Sequence, residues 1–504
     1  WFTSTGSIDH EIKAGFDRKD LEYFDDSRYP GPALGGPIVD DAGNVLVNTE
    51  TGFRGQRFDL RESFYLLWDY RQRSLGETEE TSIYLQDEMR FGDYLTLNLG
   101  LRATSSDSVG EANSTSQELS FDFDDQLAPR IGVTYDVTRN GRSKLYGHWG
   151  RFYESIPLDI NVRAFGNETF ELWFMNYPED GSLPALGNLG TNFGHTAFGT
   201  STSVAEGISP MYTEEAVLGF EYEVANGISL GIRGIRRDLN DVIEDISVDG
   251  GNTYFITNPG GFTSINPVTG DPLDEEVFFP TPRREYEAVE LMFERRKANG
   301  WQLAGSYVHA SSEGNYGGLY RQDTGQLDPT ITSVYDLPEL LDGADGPLLI
   351  DREHQLKIYG SYDLPFGLTA GFYGQYITGF ALTKYGAHES YGTGERFVEP
   401  RGAAGRSDDL WNVDLHLEYP VNLGGGLSLR LIADIFNVSN EQTPTAIDQD
   451  WTFDAPPGIG LNPGECGGPG TGPGTACPQG NPDWGSAVVF QKPRTFRLGA
   501  KLSW

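Results

Sequence analysis

The feature that most constrains the fold of this chain is a strict alternation between tight turns and long polar loops. From residue 80 onwards, strand-like segments recur in pairs, and each pair is joined by a short turn. Along such segments apolar side chains occupy every second position, as the leucines do in 95–102. Successive side chains of a strand point to opposite faces, so each segment has one apolar and one polar face. The sequence predicts about fifteen such strands.

The turns and the loops differ so much in length that they indicate a particular architecture. Asn-Gly occurs at 140–141, 226–227 and 299–300, and this pair favours hairpin turns because both residues tolerate positive φ. Soluble sandwiches have short loops at both ends, whereas outer-membrane barrels have short turns on one side and long loops on the other. We therefore expect an all-β fold, a transmembrane antiparallel β-barrel over residues 1–504. Its long extracellular loops are expected near 105–126, 154–211, 239–283, 313–351, 381–408 and 438–492.

The first 80 residues fit this alternation less well. Strands are predicted from Ile8 to Lys19 and from Phe58 to Gln72, separated by a long connection at 20–57. A second, shorter connection is predicted at 73–79, and it breaks the order of turns and loops. A missed strand or a hairpin within 38–47 would restore that order, and the sequence does not choose between them.

Composition narrows the function. No stretch approaches the ~18 apolar residues of a transmembrane helix, but a spanning strand needs only about 10 alternating residues. The net charge of −37 argues against a nucleic-acid partner. Many acids cluster in loops, and no cluster has EF-hand spacing, so solvated loop charge is favoured over bound calcium and no cofactor is expected. These acids are Asp122, Asp124, Asp125, Asp271, Asp274, Glu275, Glu276, Asp448, Asp450 and Asp454.

The two cysteines, Cys466 and Cys477, share one Gly- and Pro-rich loop. Such a pair in an otherwise Cys-free chain indicates a disulfide and an oxidising compartment. A metal site is the weaker alternative, since the loop has no His to complete the ligands. The seven His of the chain show no metal-ligand spacing either, so no metal site and no catalytic group are predicted.

The last strand carries a second signal. Phe496, Leu498, Ala500, Leu502 and Trp504 share one face of 495–504, and charged residues lie on the other. This suits a strand with lipid outside and water inside, and it resembles the C-terminal signal that the barrel-assembly machinery reads in bacterial outer-membrane barrels. The residues of that signal are Phe496, Leu498, Leu502 and Trp504. The alternative is the last strand of a soluble sheet.

Several strings together resemble the barrel of a TonB-dependent outer-membrane receptor of the Oar-like group. They lie at 81–102, 127–137, 145–157, 351–362, 434–440 and in the final strand. The resemblance implies a 22-stranded barrel enclosing a plug, of which this chain supplies the C-terminal part without the plug. The remaining strands, roughly seven, are expected to be missing or supplied by another chain. Because residue 1 is Trp1 with no signal peptide, we expect processed protein or a fragment.

The resemblance also implies a function, namely import of a scarce ligand with energy from the inner membrane. The ligand classes left open are a siderophore, a glycan, a peptide and a cobalamin-like cofactor. The implied partners are the lipid bilayer with its lipopolysaccharide, the TonB complex through a segment upstream of this chain, and the barrel-assembly machinery. The alternatives are a non-transporting adhesin or structural barrel and a soluble binding protein; an enzyme is not expected.

Alternation assigns side chains to three candidate surfaces. Residues predicted to face the lumen, as a wet wall or against a plug, are Glu221, Glu223, Arg233, Lys357, Asp414, His416, Glu418, Arg430, Asp434, Arg497 and Lys501. An aromatic girdle, with sugar-stacking platforms as the alternative, is predicted at Trp149, Tyr153, Trp301, Tyr307, Tyr362, Trp411 and Tyr419. The loop at 154–211 holds Phe165, Phe170, Trp173, Phe174 and Tyr177, which form either a ligand-capture surface or the loop's own small core.

Overall fold

The computed structural model describes residues 1–28, 56–60, 64–112, 115–163, 168–179, 191–200, 202–266, 270–322, 324–326, 329, 331–388, 391–453 and 480–504. The strands in the first half are β1 Phe2–Thr5, β2 Ile8–Arg28, β3 Gln56–Leu60, β4 Tyr65–Phe91, β5 Leu95–Ala112, β6 Thr115–Phe121, β7 Leu127–Tyr135, β8 Ser143–Tyr153, β9 Glu168–Met175, β10 Asn192–Thr200, β11 Ser203–Val204, β12 Tyr212–Ala225, β13 Ile228–Asn240 and β14 Glu244–Ile246.

The strands in the second half are β15 Phe255–Thr257, β16 Gly261–Ile265, β17 Pro272–Phe279, β18 Arg284–Ala298, β19 Trp301–Gly314, β20 Gly346–Pro347, β21 His354–Asp363, β22 Thr369–Ile377, β23 Tyr385–His388, β24 Gly392–Phe397, β25 Leu410–Gly424, β26 Leu427–Phe436, β27 Pro444–Ile447, β28 Ala487–Phe490 and β29 Thr495–Ser503. The described helices are α1 Leu158–Arg163 and α2 Ser333–Asp336, with a 3₁₀ turn at Pro338–Leu340. No described helix is both long enough and apolar enough to cross a membrane.

Fifteen of these strands form one continuous antiparallel ladder, which we call the wall. Its order is β1-β2-β4-β5-β7-β8-β12-β13-β18-β19-β21-β22-β25-β26-β29. Each wall strand therefore pairs with the next wall strand along the chain. The predicted all-β fold and its count of about fifteen strands are confirmed. Among the described residues, β1 pairs only with β2 and β29 only with β26.

The predicted connection at 73–79 is wrong. Strand β4 runs without a break from Tyr65 to Phe91, and β2 continues to Arg28 rather than ending at Lys19. These two strands pair from Ile8↔Phe91 to Arg28↔Arg71. Residues 65–91 thus form one strand of the wall, where the sequence predicted two strands with a connection between them. The alternation of turns and loops therefore holds from β2 onwards without an extra strand. Residues 38–47, where a hairpin was considered, lie outside the described ranges.

One face of the wall carries an apolar band with a sharp border. Along β19 this face shows Trp301, Leu303, Gly305 and Tyr307, and then turns polar at His309. Neighbouring strands show the same change. It lies directly opposite at His354 in β21, one step further along the register at Glu287 in β18 and Arg236 in β13, and two steps further at Glu214 in β12 and Arg151 in β8. Most of the large apolar side chains in the band are exposed, which requires a surrounding medium that is itself apolar.

The buried core of the molecule lies above the wall rather than within it. It is built from 154–163 and 202–211 and from the described parts of 241–283, 315–353 and 378–409, together with the β5–β6 hairpin, and we call this unit the loop cap. Its large buried side chains include Ile160, Ile256, Phe279, Tyr335 and Tyr385. Small sheets organise it, namely β11-β15-β14, β16-β17 and β23-β24, and the further pair β27-β28 lies beside them in sequence. A packed cap of this kind gives the loop end of the wall a defined shape.

Candidate functional site

The eleven residues predicted to face the lumen all lie on the face of the wall opposite the apolar band. In antiparallel pairs, directly opposed residues share a face, and the register joins these residues across neighbouring strands. Examples are Asp434↔Arg497 and Arg430↔Lys501. We call this the polar face. Its role as the lumen surface remains a prediction. The structure places the following residues on this face: Glu221, Glu223, Arg233, Lys357, Asp414, His416, Glu418, Arg430, Asp434, Arg497 and Lys501.

Several of these charges neutralise one another within the wall. Asp434 accepts hydrogen bonds from Arg497 Nε at 2.8 Å and from His416 Nδ1 at 2.6 Å. Arg233 Nε donates to Glu290 at 2.5 Å. Longer ion pairs join Glu221 to Lys144 at 3.6 Å and Glu418 to Arg430 at 3.4 Å.

The remaining predicted lumen residues are placed differently. Glu223 accepts from the backbone N–H of Gly227 and so closes the β12–β13 turn. Asp414 accepts from Asn412 and from the backbone N–H of Asn437. Lys357 and Lys501 have no ion pair within the described part of the chain. Most of the predicted residues therefore serve the wall itself, and a ligand has few free charges to meet along it.

A cavity of about 640 Å³ opens where the polar face reaches the loop cap. Its wall side is formed by the loop ends of β12, β13 and β18, and its upper side by the cap segment 316–322 and by Ile350. This volume lies in the range of small-molecule sites, which is about 300–1,000 Å³. The position is suited to a ligand that enters from the loop end.

Arg284 is the central charge of this cavity, because it lines the site at the first residue of β18. Its guanidinium lies against Gly318 of the cap, where a Cβ would come within 2.1 Å of Nη1. Glu154 and Tyr316 are near enough to act on it electrostatically, but no described residue forms an ion pair with it. Arg284 therefore has donors free for an anionic group, and a planar guanidinium binds carboxylate or phosphate through two parallel hydrogen bonds.

A second arginine lines the cavity below the first. Arg237 donates to Glu215, which also accepts from His148 at 2.7 Å. The Arg237 guanidinium lies 5.5 Å from the ring centroid of Tyr286. Glu215 therefore already neutralises the charge of Arg237, whereas Arg284 supplies the unpaired positive charge of the cavity. Neither residue could be identified from the sequence, since no motif distinguishes them from other strand arginines.

The predicted girdle residues all lie on the apolar face of the wall. Trp301 and Tyr362 oppose each other at the turn end, and Tyr419 lies at that end too. Trp149, Tyr153, Tyr307 and Trp411 lie towards the loop end, close to the border of the apolar band. This arrangement in two rows is compatible with both predicted roles, and the girdle remains a prediction.

The described aromatic residues of the predicted capture loop lie in β9 or directly after it, and the β9–β10 hairpin pairs with β4. The ring of Phe174 lies 6.5 Å from Phe64 and 6.1 Å from Phe193, measured between centroids. Tyr177 lies 5.7 Å from buried Tyr65. Trp173 is half-buried in the same hairpin. These rings contact one another, and both alternatives, ligand capture and a small core of the loop, remain predictions.

Some of the predicted residues lie outside the described ranges, and others lie in the final strand. Phe165, Cys466 and Cys477 lie outside the described residues, and Phe170 is placed by its backbone alone within β9. The assembly-signal residues Phe496, Leu498, Leu502 and Trp504 belong to the final strand and its last residue; Leu498 is 83% exposed and Trp504 is 93% exposed. Both the disulfide and the assembly signal remain predictions.

Glu244 and Asp336 are two of the acids buried inside the loop cap. Glu244 accepts hydrogen bonds from the backbone N–H of Thr332 at 2.7 Å and from its hydroxyl at 3.0 Å. Burial raises the pKa of Glu244 to about 8, with a smaller contribution from the negative charge of Asp336. Burial also raises the pKa of Asp336 to about 7, while a hydrogen bond from Tyr391 opposes the increase. The cap therefore holds two carboxyl groups whose pKa values burial raises to near or above neutral pH.

Comparison with known proteins gives a consistent result. A sequence model of the family described as TonB dependent receptor-like, beta-barrel, matches residues 2–438. The TonB-dependent transporter Oar of Myxococcus xanthus is 31% identical over 490 residues, covering 88% of this chain and 43% of Oar. Among solved structures, the ferric preacinetobactin receptor BauA of Acinetobacter baumannii matches with a TM-score of 0.50 at 12% identity, covering 99% of this chain and 52% of BauA. The ferric-catecholate import receptor Fiu of E. coli matches with a TM-score of 0.49 at 13% identity, covering 99% and 52%. The chain thus spans less than half of Oar and about half of each receptor.

Proposed function

Because the chain belongs to the TonB-dependent receptor family of the bacterial outer membrane, in its Oar-like group, we propose that it forms part of the wall of an active importer. The family is one of receptors and transporters rather than of enzymes. In the proposed mechanism a ligand binds at the loop end, and TonB, energised from the inner membrane, opens a path along the polar face. The segment that contacts TonB would belong to the part of the protein upstream of this chain.

The observation that carries the proposal is the cavity between the polar face and the loop cap. A transporter needs a site that opens to the outside and continues into its lumen, and the cavity is bounded by both surfaces. Arg284 would bind an anionic group of the ligand, since no described residue forms an ion pair with it. Siderophores, peptides, acidic glycans and phosphorylated cofactors all include members with such a group, so each ligand class remains open.

The other expected partners and cofactors follow from the same proposal. The apolar band would contact the lipid bilayer, and the polar border above it the lipopolysaccharide headgroups. The final strand would be recognised by the barrel-assembly machinery. No resident cofactor is required, and the exposed loop acids would remain solvated rather than bind calcium. A catalytic role is not proposed. A non-transporting adhesin is disfavoured, because the family consists of ligand-importing receptors.

The proposal can be tested by measuring which solutes cells remove from the medium. The source bacterium would carry the full-length gene, a deletion of that gene, or the variant Arg284→Gln. Mass spectrometry of the spent medium should show at least one anionic solute whose depletion requires the gene. Its uptake should fall at least about 10-fold in Arg284→Gln, because a charge-assisted bidentate contact contributes more than about 1.4 kcal/mol.

Two controls separate transport from surface binding. A strain lacking TonB should bind the same solute at its surface but fail to accumulate it. Arg139→Gln removes an arginine from the turn at the opposite end of the wall, where the side chain lies 4.4 Å from the Tyr94 ring centroid, and uptake should be unchanged. If no solute depends on both the gene and TonB, the importer proposal is wrong.

A further inference from the structure

Two histidines from different strands lie directly opposite each other in the wall, His309 of β19 and His354 of β21. Their rings stack with centroids 5.0 Å apart and planes inclined by 25°. Glu353 precedes the second histidine, and its Oε1 lies 3.6 Å from His354 Nε2. One ligand atom from each residue lies within 4.8 Å of the others, a grouping that no other set of three His, Cys, Asp or Glu achieves among the described residues.

The hydrogen bonds of the two rings leave the right atoms free for a metal ion. His309 Nδ1 faces the backbone carbonyl oxygen of Glu353 at 3.2 Å. Because a carbonyl only accepts, Nδ1 carries the hydrogen and Nε2 of the neutral ring bears the lone pair. His354 Nδ1 lies 2.8 Å from the Tyr307 hydroxyl, which can accept from the same tautomer. Histidines that bind metals typically donate their second N–H to a carbonyl or a similar acceptor.

The cluster lies at the border of the apolar band, on the outward side of the wall. Tyr307 is the last apolar-face residue of β19 before His309, and Leu356 is the corresponding residue of β21 after His354. All three candidate ligands are partly or fully exposed. Water and dissolved ions therefore reach them, in contrast to the lipid-covered residues one step below.

We propose that His309, His354 and Glu353 bind a divalent transition-metal ion of the Zn²⁺ class. Imidazole and carboxylate together suit this class, and three protein ligands leave one position for water or another oxygen ligand. Tetrahedral binding at the usual zinc distances places ligand atoms about 3.4 Å apart. The ladder fixes the Cα positions of His309 and His354 opposite each other, and the partly or fully exposed side chains of all three residues can rotate towards that spacing.

A metal ion at this place would act on the loop cap. It would join β19 to the start of β21, and so close the base of the connection 315–353. That connection supplies α2 to the cap and the segment 316–322 to the cavity. Metal binding would thus hold together the two strand ends from which this part of the cap emerges. The inference is independent of the proposed importer function, because the cluster lies on the opposite face from the cavity.

The test uses the full-length protein in lipopolysaccharide-free detergent, stripped of metals with a chelator. Titration with Co²⁺ should give visible absorption bands of a tetrahedral site, and Zn²⁺ should displace them. His309→Ala and His354→Ala should each weaken Zn²⁺ binding by more than about 100-fold, because loss of an outer-shell partner alone costs about 10–100-fold. Tyr307→Phe should weaken it by about 10-fold.

The matched control is His10→Ala, which removes a histidine that pairs with Asp87 at 2.8 Å and belongs to no such three-residue group among the described residues. This variant should bind Zn²⁺ as the wild type does. Because His309 and His354 are exposed, their variants should keep the wild-type mobility of the folded protein in gels run without heating. The proposal is overturned if the wild type shows no Co²⁺ bands, or if the bands persist in the double variant His309→Ala/His354→Ala.

Discussion

Glu244 should make the stability of the loop cap depend on pH. Its carboxyl group is fully buried, and burial raises its pKa from an ordinary 4.5 to about 8. Below pH 4.5 the group is protonated in the closed and the opened cap alike. Between pH 4.5 and 8 the opened cap loses the proton and the closed cap keeps it, so the closed cap becomes less stable as pH rises. Asp336, with a pKa of about 7, acts in the same direction.

The size of the effect follows from the two pKa values of Glu244. Since one pH unit corresponds to about 1.4 kcal/mol, the free energy that stabilises the closed cap should fall by about 5 kcal/mol over the whole interval between the two pKa values. Of this, about 3–4 kcal/mol should be lost between pH 5 and pH 8. Glu244→Gln keeps the shape of the side chain and an acceptor for Thr332, but removes the ionisable group. The variant should therefore show a much flatter dependence, with the remaining slope due to Asp336.

Hydrogen exchange measured by mass spectrometry can detect this opening in the full-length protein. Peptides covering β14, β15 and α2 should lose protection between pH 5 and pH 8, after correction for the intrinsic exchange rate. Glu275→Gln, at an exposed position of the cap, should leave the wild-type profile unchanged. Protection that does not vary with pH in the wild type, or that varies equally in Glu244→Gln, would refute the reasoning.

Two further predictions concern glycines that a neighbouring group leaves no room to replace. Gly379→Ala should disrupt the cap and expose it to limited proteolysis, because a Cβ there would lie 1.7 Å from the backbone oxygen of Ser407. The control Gly317→Ala should be tolerated, because no atom lies within 4 Å of a Cβ at that position. Gly219→Val should destabilise the wall by about 1–3 kcal/mol, because a Cβ would lie 2.4 Å from the Tyr146 ring. A lower temperature for the gel-mobility shift of the variant would show this loss of stability, and an unchanged temperature would contradict the prediction.

The wall could be predicted from the sequence because alternation is a local pattern that a two-sided sheet requires. The error at 73–79 has a physical reason. This stretch reads R-S-L-G-E-T-E, and its Gly and charged residues suggest a break. In the structure β4 stays extended here because the whole of β2 pairs with it, from Arg71 to Phe91, and β5 begins to pair at Gly76. Pairing with neighbours outweighed local propensity.

The turns show how far the sequence argument reached. At Asn299–Gly300 both residues have positive φ, 53° and 81°, as a type I′ turn requires. At the 226–227 turn only Gly227 has positive φ, and the register shifts between Glu223 and Ala225. The same dipeptide thus makes a two-residue hairpin turn at both places, closed by Ala225↔Ile228 and by Ala298↔Trp301, but with different backbone conformations.

Neither the cavity nor the histidine cluster was accessible from the sequence, since both depend on contacts between distant segments. Arg284 is defined by its approach to Gly318, which lies in a different connection. His309 and His354 become neighbours only through the β19–β21 register. Local patterns establish which face a side chain takes; they do not tell which side chains of the same face meet at a loop end.

The wall is far from uniform in height. Strand β4 has 27 residues and β2 has 21, whereas β22 and β29 have 9 each. About 10 residues suffice to cross the hydrocarbon layer, so β2 and β4 continue well beyond it as a flange. A macromolecule arriving from the loop side of the wall would therefore meet this flange before the lower rim formed by the short strands.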